Sequence, residues 1–179
     1  MKRSEIIELL DSLGLKKNII EHILAVEKFA LQIASLILKN NPEFKIDLKL
    51  ISDGSLLHDI GRSVTHSISH AVEGVKIAKK YNFNQQTLSI IENHIGAGIT
   101  KEEAKTLNLP VKDYLPISLE EKIVANADNL IGGSKRRDIS YLVDRLKSQN
   151  NSDAAKRVVY LNDELSLLAN LNLNLVSLK

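Results

Sequence analysis

The chain has 179 residues, a net charge of +2 and a hydrophobic share of 44%, enough for one globular core. It contains no cysteine, which excludes disulfides, thiolate-held zinc, iron–sulfur clusters and cysteine nucleophiles. Nearly balanced charge without tryptophan argues against a nucleic-acid partner. No apolar run reaches the ~18 residues of a membrane span, so the expectation is a soluble, cytoplasmic protein.

Scarce proline and glycine, with abundant Leu, Ile, Lys and Glu, predict an all-α chain. A short amphipathic helix is expected from Ser4 to Leu13, stopped by Gly14. A longer one follows from Lys17 to Lys39, with Ile19, Ile23, Val26, Phe29, Ile33 and Ile37 at helical period and His22 within that stripe. Asn40, Asn41 and Pro42 end it. A third helix, Asp47 to His58, delivers His58 and Asp59 at its C-terminal end, followed by a loop from Gly61 to Ser69. A fourth, Ser69 to Tyr81, carries His70 in its first turn, with Gly74 one turn later leaving room beside it.

A fifth helix, Asn84 to His94, ends on His94, and Gly96-Ala97-Gly98 breaks the pattern. Thr100 with Glu103, and Ser118 with Glu121, have the spacing of capping boxes. They open a short helix through Leu107 and another through Leu130, the latter with Asp128 facing inward one turn beyond Val124. Gly132-Gly133-Ser134 is a stop, followed by the basic run Lys135-Arg136-Arg137. Two more helices, Asp138 to Ser148 and Ser152 to Asn170, complete the chain, and Leu171 to Leu175 alternates like a strand. The leucines from Val158 onward suit either packing over the domain or contact with a second copy in a homo-oligomer. No repeat or linker divides the sequence, so a single domain of about eight or nine helices over residues 1–179 is expected, with helices 138–170 packed on the rest.

His22, His58, Asp59, His70, His94 and Asp128 all fall on, or at the end of, apolar helical faces. Each alone has an ordinary reading: His22 as a satisfied core histidine, His58-Asp59 as a helix end, Asp128 as a cap or a partner for Lys135. Together they are harder to dismiss. A bare carboxylate facing a core is costly, and a divalent cation neutralises it while taking imidazoles as neutral ligands. Four of the five histidines belong to this set, leaving only His66.

The order His … His-Asp … His … His … Asp resembles the HD-domain superfamily of metal-dependent phosphohydrolases. His58-Asp59-Ile60-Gly61 spells the tetrapeptide of its HDIG branch. The resemblance covers roughly residues 20 to 131 and is carried also by His70-Ala71-Val72-Glu73-Gly74, Asn93-His94-Ile95-Gly96 and Ala127-Asp128-Asn129. It is nearest to small archaeal-type HD proteins with a His-Ile-Gly-Ala-Gly-Ile segment, here His94 to Ile99, and more distant from bacterial HD enzymes that cleave diadenosine tetraphosphate. One departure is Arg62, where many HDIG proteins have Lys.

The resemblance implies that His22, His58, Asp59 and Asp128 hold one metal. Asp59 then bridges to a second held by His70 and His94, or those two contact substrate phosphate instead. It implies a nucleotide or similar small phosphorylated substrate, with Asp59 and Arg62 in the reaction and Fe or Mn favoured over Co, Ni or Mg for a set of six N/O ligands. His66 is a weaker candidate as general acid or phosphate contact. Lys135 and Arg136 are candidates for gripping phosphate, against the usual reading of a solvated charge run. A nucleotide-sensing module that keeps the metal without turnover is the alternative.

Overall fold

The chain is organised around helix α2 (Lys17–Asn40), about 36 Å long at 1.5 Å per residue. Its buried residues Ile19, Ile23, Val26, Phe29, Ala30, Ile33 and Ile37 recur at the helical period, so one stripe faces protein along the whole length. The computed structural model describes residues 1–178. Among them α1 (Arg3–Ser12) precedes α2, and α3 (Leu48–Leu57), α4 (His70–Lys80), α5 (Gln85–Asn93), α6 (Lys101–Thr106) and α7 (Leu119–Asn129) follow it. A hairpin, β1 (Ile131–Gly132) and β2 (Lys135–Arg136), leads to α8 (Ile139–Ser148) and α9 (Ser152–Leu168). The fold is all-α, as expected.

Helix α2 packs against α3 and α7, α4 against α5, and α8 against α9. Two apolar clusters result. One joins α2 through Phe29 and Ile33 to Ile51, Ile90, Val124, Val143, Val158 and Leu165, and so includes α8 and α9. The other gathers Ile6, Leu10, Ile23, Leu57, Ile60, Ala78 and Ile91 under α1 and α4. Ile23 and Leu57 belong to the second cluster and Val26 and Ala127 to the first. The site residues beside them in sequence therefore lie at the seam.

The predicted capping boxes form. Thr100 and Ser118 accept from the backbone of Glu103 and Glu121, whose carboxylates return to the cap N–H groups. Three expectations are corrected. Leu171 to Leu175 is no strand: Asn172 accepts from the Asn174 N–H and turns Leu173–Leu175 into a 3₁₀ helix with Leu173 buried, a local bond that competes with extended backbone. Gly132-Gly133-Ser134 is not the stop of α7, which ends at Asn129 with Leu130 as its cap; it makes the hairpin, with Gly133 at φ +61 in its two-residue turn. Gly74 does not open room for His70. A Cβ there would meet Ile91 Cγ2 at 2.9 Å, and one at Gly61 would collide with the His70 carbonyl. The paired glycines bring α4 against the 3₁₀ turn Ile60–Ser63.

Candidate metal centre and its cleft

Helix ends deliver most of the site. His58 and His94 are the C-caps of α3 and α5, His70 is the first residue of α4, and Asp128 is in the last turn of α7. His22 enters from the second turn of α2. Each imidazole is oriented by a backbone carbonyl at Nδ1: Gly133 for His22 at 2.8 Å, Ser55 for His58 at 2.6 Å, Ser67 for His70 at 2.8 Å and Ile91 for His94 at 2.8 Å. Three of the four use the carbonyl three residues back, at a helix end or turn. An Nδ1–H donated to carbonyl fixes the tautomer and leaves Nε2 as a lone-pair donor.

The four Nε2 atoms converge on the two carboxylates. His22 Nε2 is 2.9 Å and His58 Nε2 3.7 Å from Asp128 Oδ1. His70 Nε2 is 3.1 Å and His94 Nε2 3.7 Å from Asp59 Oδ1, and His58 Nε2 is 3.8 Å from Asp59 Oδ2. Two overlapping trios, His22–His58–Asp128 and His58–Asp59–His94, have ligand atoms within 4.8 Å of one another and could each hold a metal ion. His58 is common to both.

The chemistry of these atoms fits a cation. His58 Nε2 and Asp59 Oδ1 are buried without a hydrogen-bond partner, which protein interiors rarely tolerate. His70 Nε2 and His94 Nε2 face each other at 3.1 Å with both Nδ1 atoms committed, so two lone pairs oppose unless a positive charge lies by them. Without metal, burial would lower the His22 pKa, but the hydrogen bond and charge of Asp128 outweigh it and push it up to about 9. Burial pushes His58 down to about 4 despite both carboxylates. Burial would raise Asp128, yet His22 and His58 bring it down to about 2. Asp59 is likewise held well below the usual range, its burial outweighed by His58, His70 and His94.

The cluster opens into a cleft of about 600 Å³ between the bundle and the α8–α9 pair. His22, His70, His94 and Asp128 line its inner end. Arg62 is there too, its Nε donating to Asp59 Oδ2 at 2.6 Å. His66 is exposed at the rim beside Ser67. Gly96, Ala97 and Gly98 line it as a turn with both glycines at positive φ, and Asn129 donates to the Gly96 carbonyl.

The basic run divides. Lys135 is exposed and does not line the cleft. Arg136 lies over the Phe29 ring and donates to the carbonyls of Leu130, Leu173, Val176 and Arg137, pinning the C-terminal turn. Only Arg137 of the three reaches the cleft, joined there by Tyr141, Arg145 and Arg157, which sequence reading did not single out. The available signal was the four-residue spacing of Tyr141, Arg145 and Gln149 on a helix that was itself expected. Asn93 and Asn126, near His94 and Asp128 in sequence, bond to Glu121 and Asn162.

The all-α bundle thus carries a buried His–Asp cluster at the foot of an arginine-lined cleft. The chain belongs to the HD domain family, whose profile matches residues 19–132. It is 49% identical to an uncharacterized protein of Methanocaldococcus jannaschii, over 85% of this chain and 90% of that one. It is also 44% identical to a tRNA (cytidine(56)-2'-O)-methyltransferase of Picrophilus torridus, over 87% of this chain but 44% of the relative, so it spans less than half of that protein. A ribonuclease Y of Fervidobacterium nodosum is 28% identical over 92% of this chain and 29% of its own length. No solved structure matches. The expectation against a nucleic-acid partner finds no support among these relatives. Among the described residues, no helix is long and apolar enough to cross a membrane.

Proposed function

We propose that the protein is a metal-dependent phosphohydrolase acting on a phosphoester or phosphoanhydride of a nucleotide or similar phosphorylated molecule. The observation that carries the reading is the convergence of four Nε2 atoms, each oriented through Nδ1, on two carboxylates. His22, His58 and Asp128 would hold one ion, and Asp59 would be shared with a second held by His70 and His94. A thiolate-free N/O set favours Fe or Mn over Co, Ni or Mg. Divalent ions bound there supply an acidified water and a positive clamp on phosphate oxygens.

The chain's own residues do the rest. Arg62 keeps four N–H donors beyond the Nε committed to Asp59, and these neutralise charge on the transferring phosphoryl group. That bond also fixes the carboxylate of Asp59. His66, exposed at the rim, protonates the leaving oxygen. The ribonuclease and tRNA methyltransferase names among the relatives extend the substrate class to nucleotide units within RNA. The test is turnover of a panel of phosphomonoesters, phosphodiesters and nucleotides by protein loaded with Mn or Fe. Hydrolysis lost on chelation and in Asp59→Asn supports the reading. A fully metal-loaded protein without turnover on any substrate overturns it.

A further inference from the structure

The cleft carries more positive charge than the metal cluster uses. Its lining includes Arg62, Arg137, Arg145 and Arg157, against Glu103 as the one carboxylate besides Asp128. Arg62 is committed to Asp59, and Arg157 to Glu103 at 2.6 Å and to the Gly98 carbonyl. Arg137 and Arg145 have no carboxylate partner among the described residues. Arg137 instead stacks on Tyr141, its guanidinium carbon 4.9 Å from the ring centroid, and Tyr141 is 57% exposed. A Cβ at Gly132 would meet Arg137 Cδ at 2.6 Å, so glycine there lets the arginine lie across the hairpin.

These groups are ordered along one wall. Tyr141, Arg145 and Gln149 are four residues apart, hence one above another on α8 and its cap, and rise about 12 Å in all. Arg137 stands at the end of the stripe near the hairpin that receives His22, whose Nδ1 bonds Gly133. Beneath it lie the apolar Leu142, Leu146 and Val158.

We propose that this face of α8 is a track for a single-stranded oligonucleotide, with phosphates on Arg137 and Arg145 and a base on Tyr141, leading the strand to the His–Asp cluster. This deepens the phosphohydrolase reading and rests on it for the destination of the strand, not for the binding. Two unpaired guanidinium forks in a cleft concentrate positive potential where a chain of phosphates would lie. An aromatic face between them stacks any unpaired base. A mononucleotide with its phosphate at the cluster would leave the far end of the stripe unused. A duplex keeps its bases stacked on one another and offers none to Tyr141. The net charge of +2 conceals the track because it averages over the whole surface.

The experiment is fluorescence anisotropy with labelled 2′-O-methyl phosphorothioate oligouridylates, which resist cleavage, on the full Mn-loaded chain. An octanucleotide should bind about tenfold or more tighter than a dinucleotide, and Tyr141→Ala should weaken the octamer by about 5- to 100-fold. Arg145→Ala should lower the slope of log affinity against log salt by about one, with Arg145→Lys in between. Equal binding of the two lengths, tighter binding of a duplex, or octamer affinity unchanged in both alanine variants overturns the track. Turnover of bis(p-nitrophenyl) phosphate by the wild type separates the two ideas. Turnover without length-dependent binding removes the track and keeps the hydrolase. Length-dependent binding without turnover of any phosphoester does the reverse.

Discussion

His70 Nε2 lies 3.1 Å from His94 Nε2, while the Nδ1 of each ring is held by a carbonyl three residues earlier. Two oriented lone pairs at that separation mark the more buried half of the cluster, next to Asp59. His22 and Asp128 form the more exposed half, and His58 and Asp59 lie between them. Elemental analysis should therefore show about two equivalents of metal in the wild type and about one in His70→Ala or His94→Ala. His58→Ala and Asp59→Ala should lose most of both. Retention of both equivalents in His70→Ala would rule out a ligand role for that histidine.

Gly61 allows a close backbone approach. A Cβ at Gly61 would run into the His70 carbonyl, a backbone group that cannot rotate away. Gly61→Ala should cost about 2–3 kcal/mol, the upper part of the range for overpacking, or about 4–12 °C in Tm for a chain of this size. Gly14 has φ +74 with nothing within 4 Å of its Cβ position. Gly14→Ala should therefore cost only about 1 kcal/mol from the backbone conformation. Thermal melts in chelator compare the two without the metal, and equal losses would contradict the close approach.

The contrast shows what the sequence could and could not reveal. Helical periodicity and capping spacings located the nine α-helices among the described residues, and the apolar faces marked His22, His58, His70, His94 and Asp128. The sequence could not show that Gly61 and Gly74 face each other across two elements, since a glycine's tertiary neighbour leaves no local pattern. Nor could it show that Arg136 turns to the Phe29 ring while Arg137, its neighbour, turns to the cleft. That choice is made by Leu173 and Val176, whose carbonyls lie 37 and 40 residues away along the chain. Net charge is silent on partners for a related reason: a total carries no information about where the charge sits.

Two histidines give the metal-free protein a stability optimum. His58 is held neutral, its pKa lowered from 6.5 to about 4. Below 6.5 the unfolded chain binds a proton there that the folded chain does not, so its contribution is full above 6.5 and is lost as pH falls toward 4. His22 has the opposite sign. Raised from 6.5 to about 9, it stabilises fully below 6.5 and loses that contribution as pH rises through about 9. Stability should peak near pH 6.5 and fall on either side, with a limiting slope of about 1.4 kcal/mol per pH unit for one proton. Urea titrations in chelator at several pH values measure this. His22→Asn should flatten the alkaline arm and leave the acid arm, and an unchanged alkaline arm would show that Asp128 does not hold a proton on His22.

We propose that α8 and α9 unfold together with the bundle, as one unit over the chain. The apolar cluster around Phe29 and Ile33 runs without interruption into Val143, Val158 and Leu165. Lys122 of α7 pairs with Glu164 of α9 at 2.7 Å, and Arg157 of α9 reaches Glu103 of α6. Val158 is fully buried, so Val158→Ala should cost about 2–4 kcal/mol by leaving a cavity in a core shared by both parts. If the parts are one unit, that loss should move a single urea transition, seen alike by far-UV dichroism and by a fluorophore at Tyr160, which is exposed on α9. A separate early transition reported only from Tyr160 would mean that the helical pair is an independent element. The cleft wall would then be able to open without unfolding the metal centre.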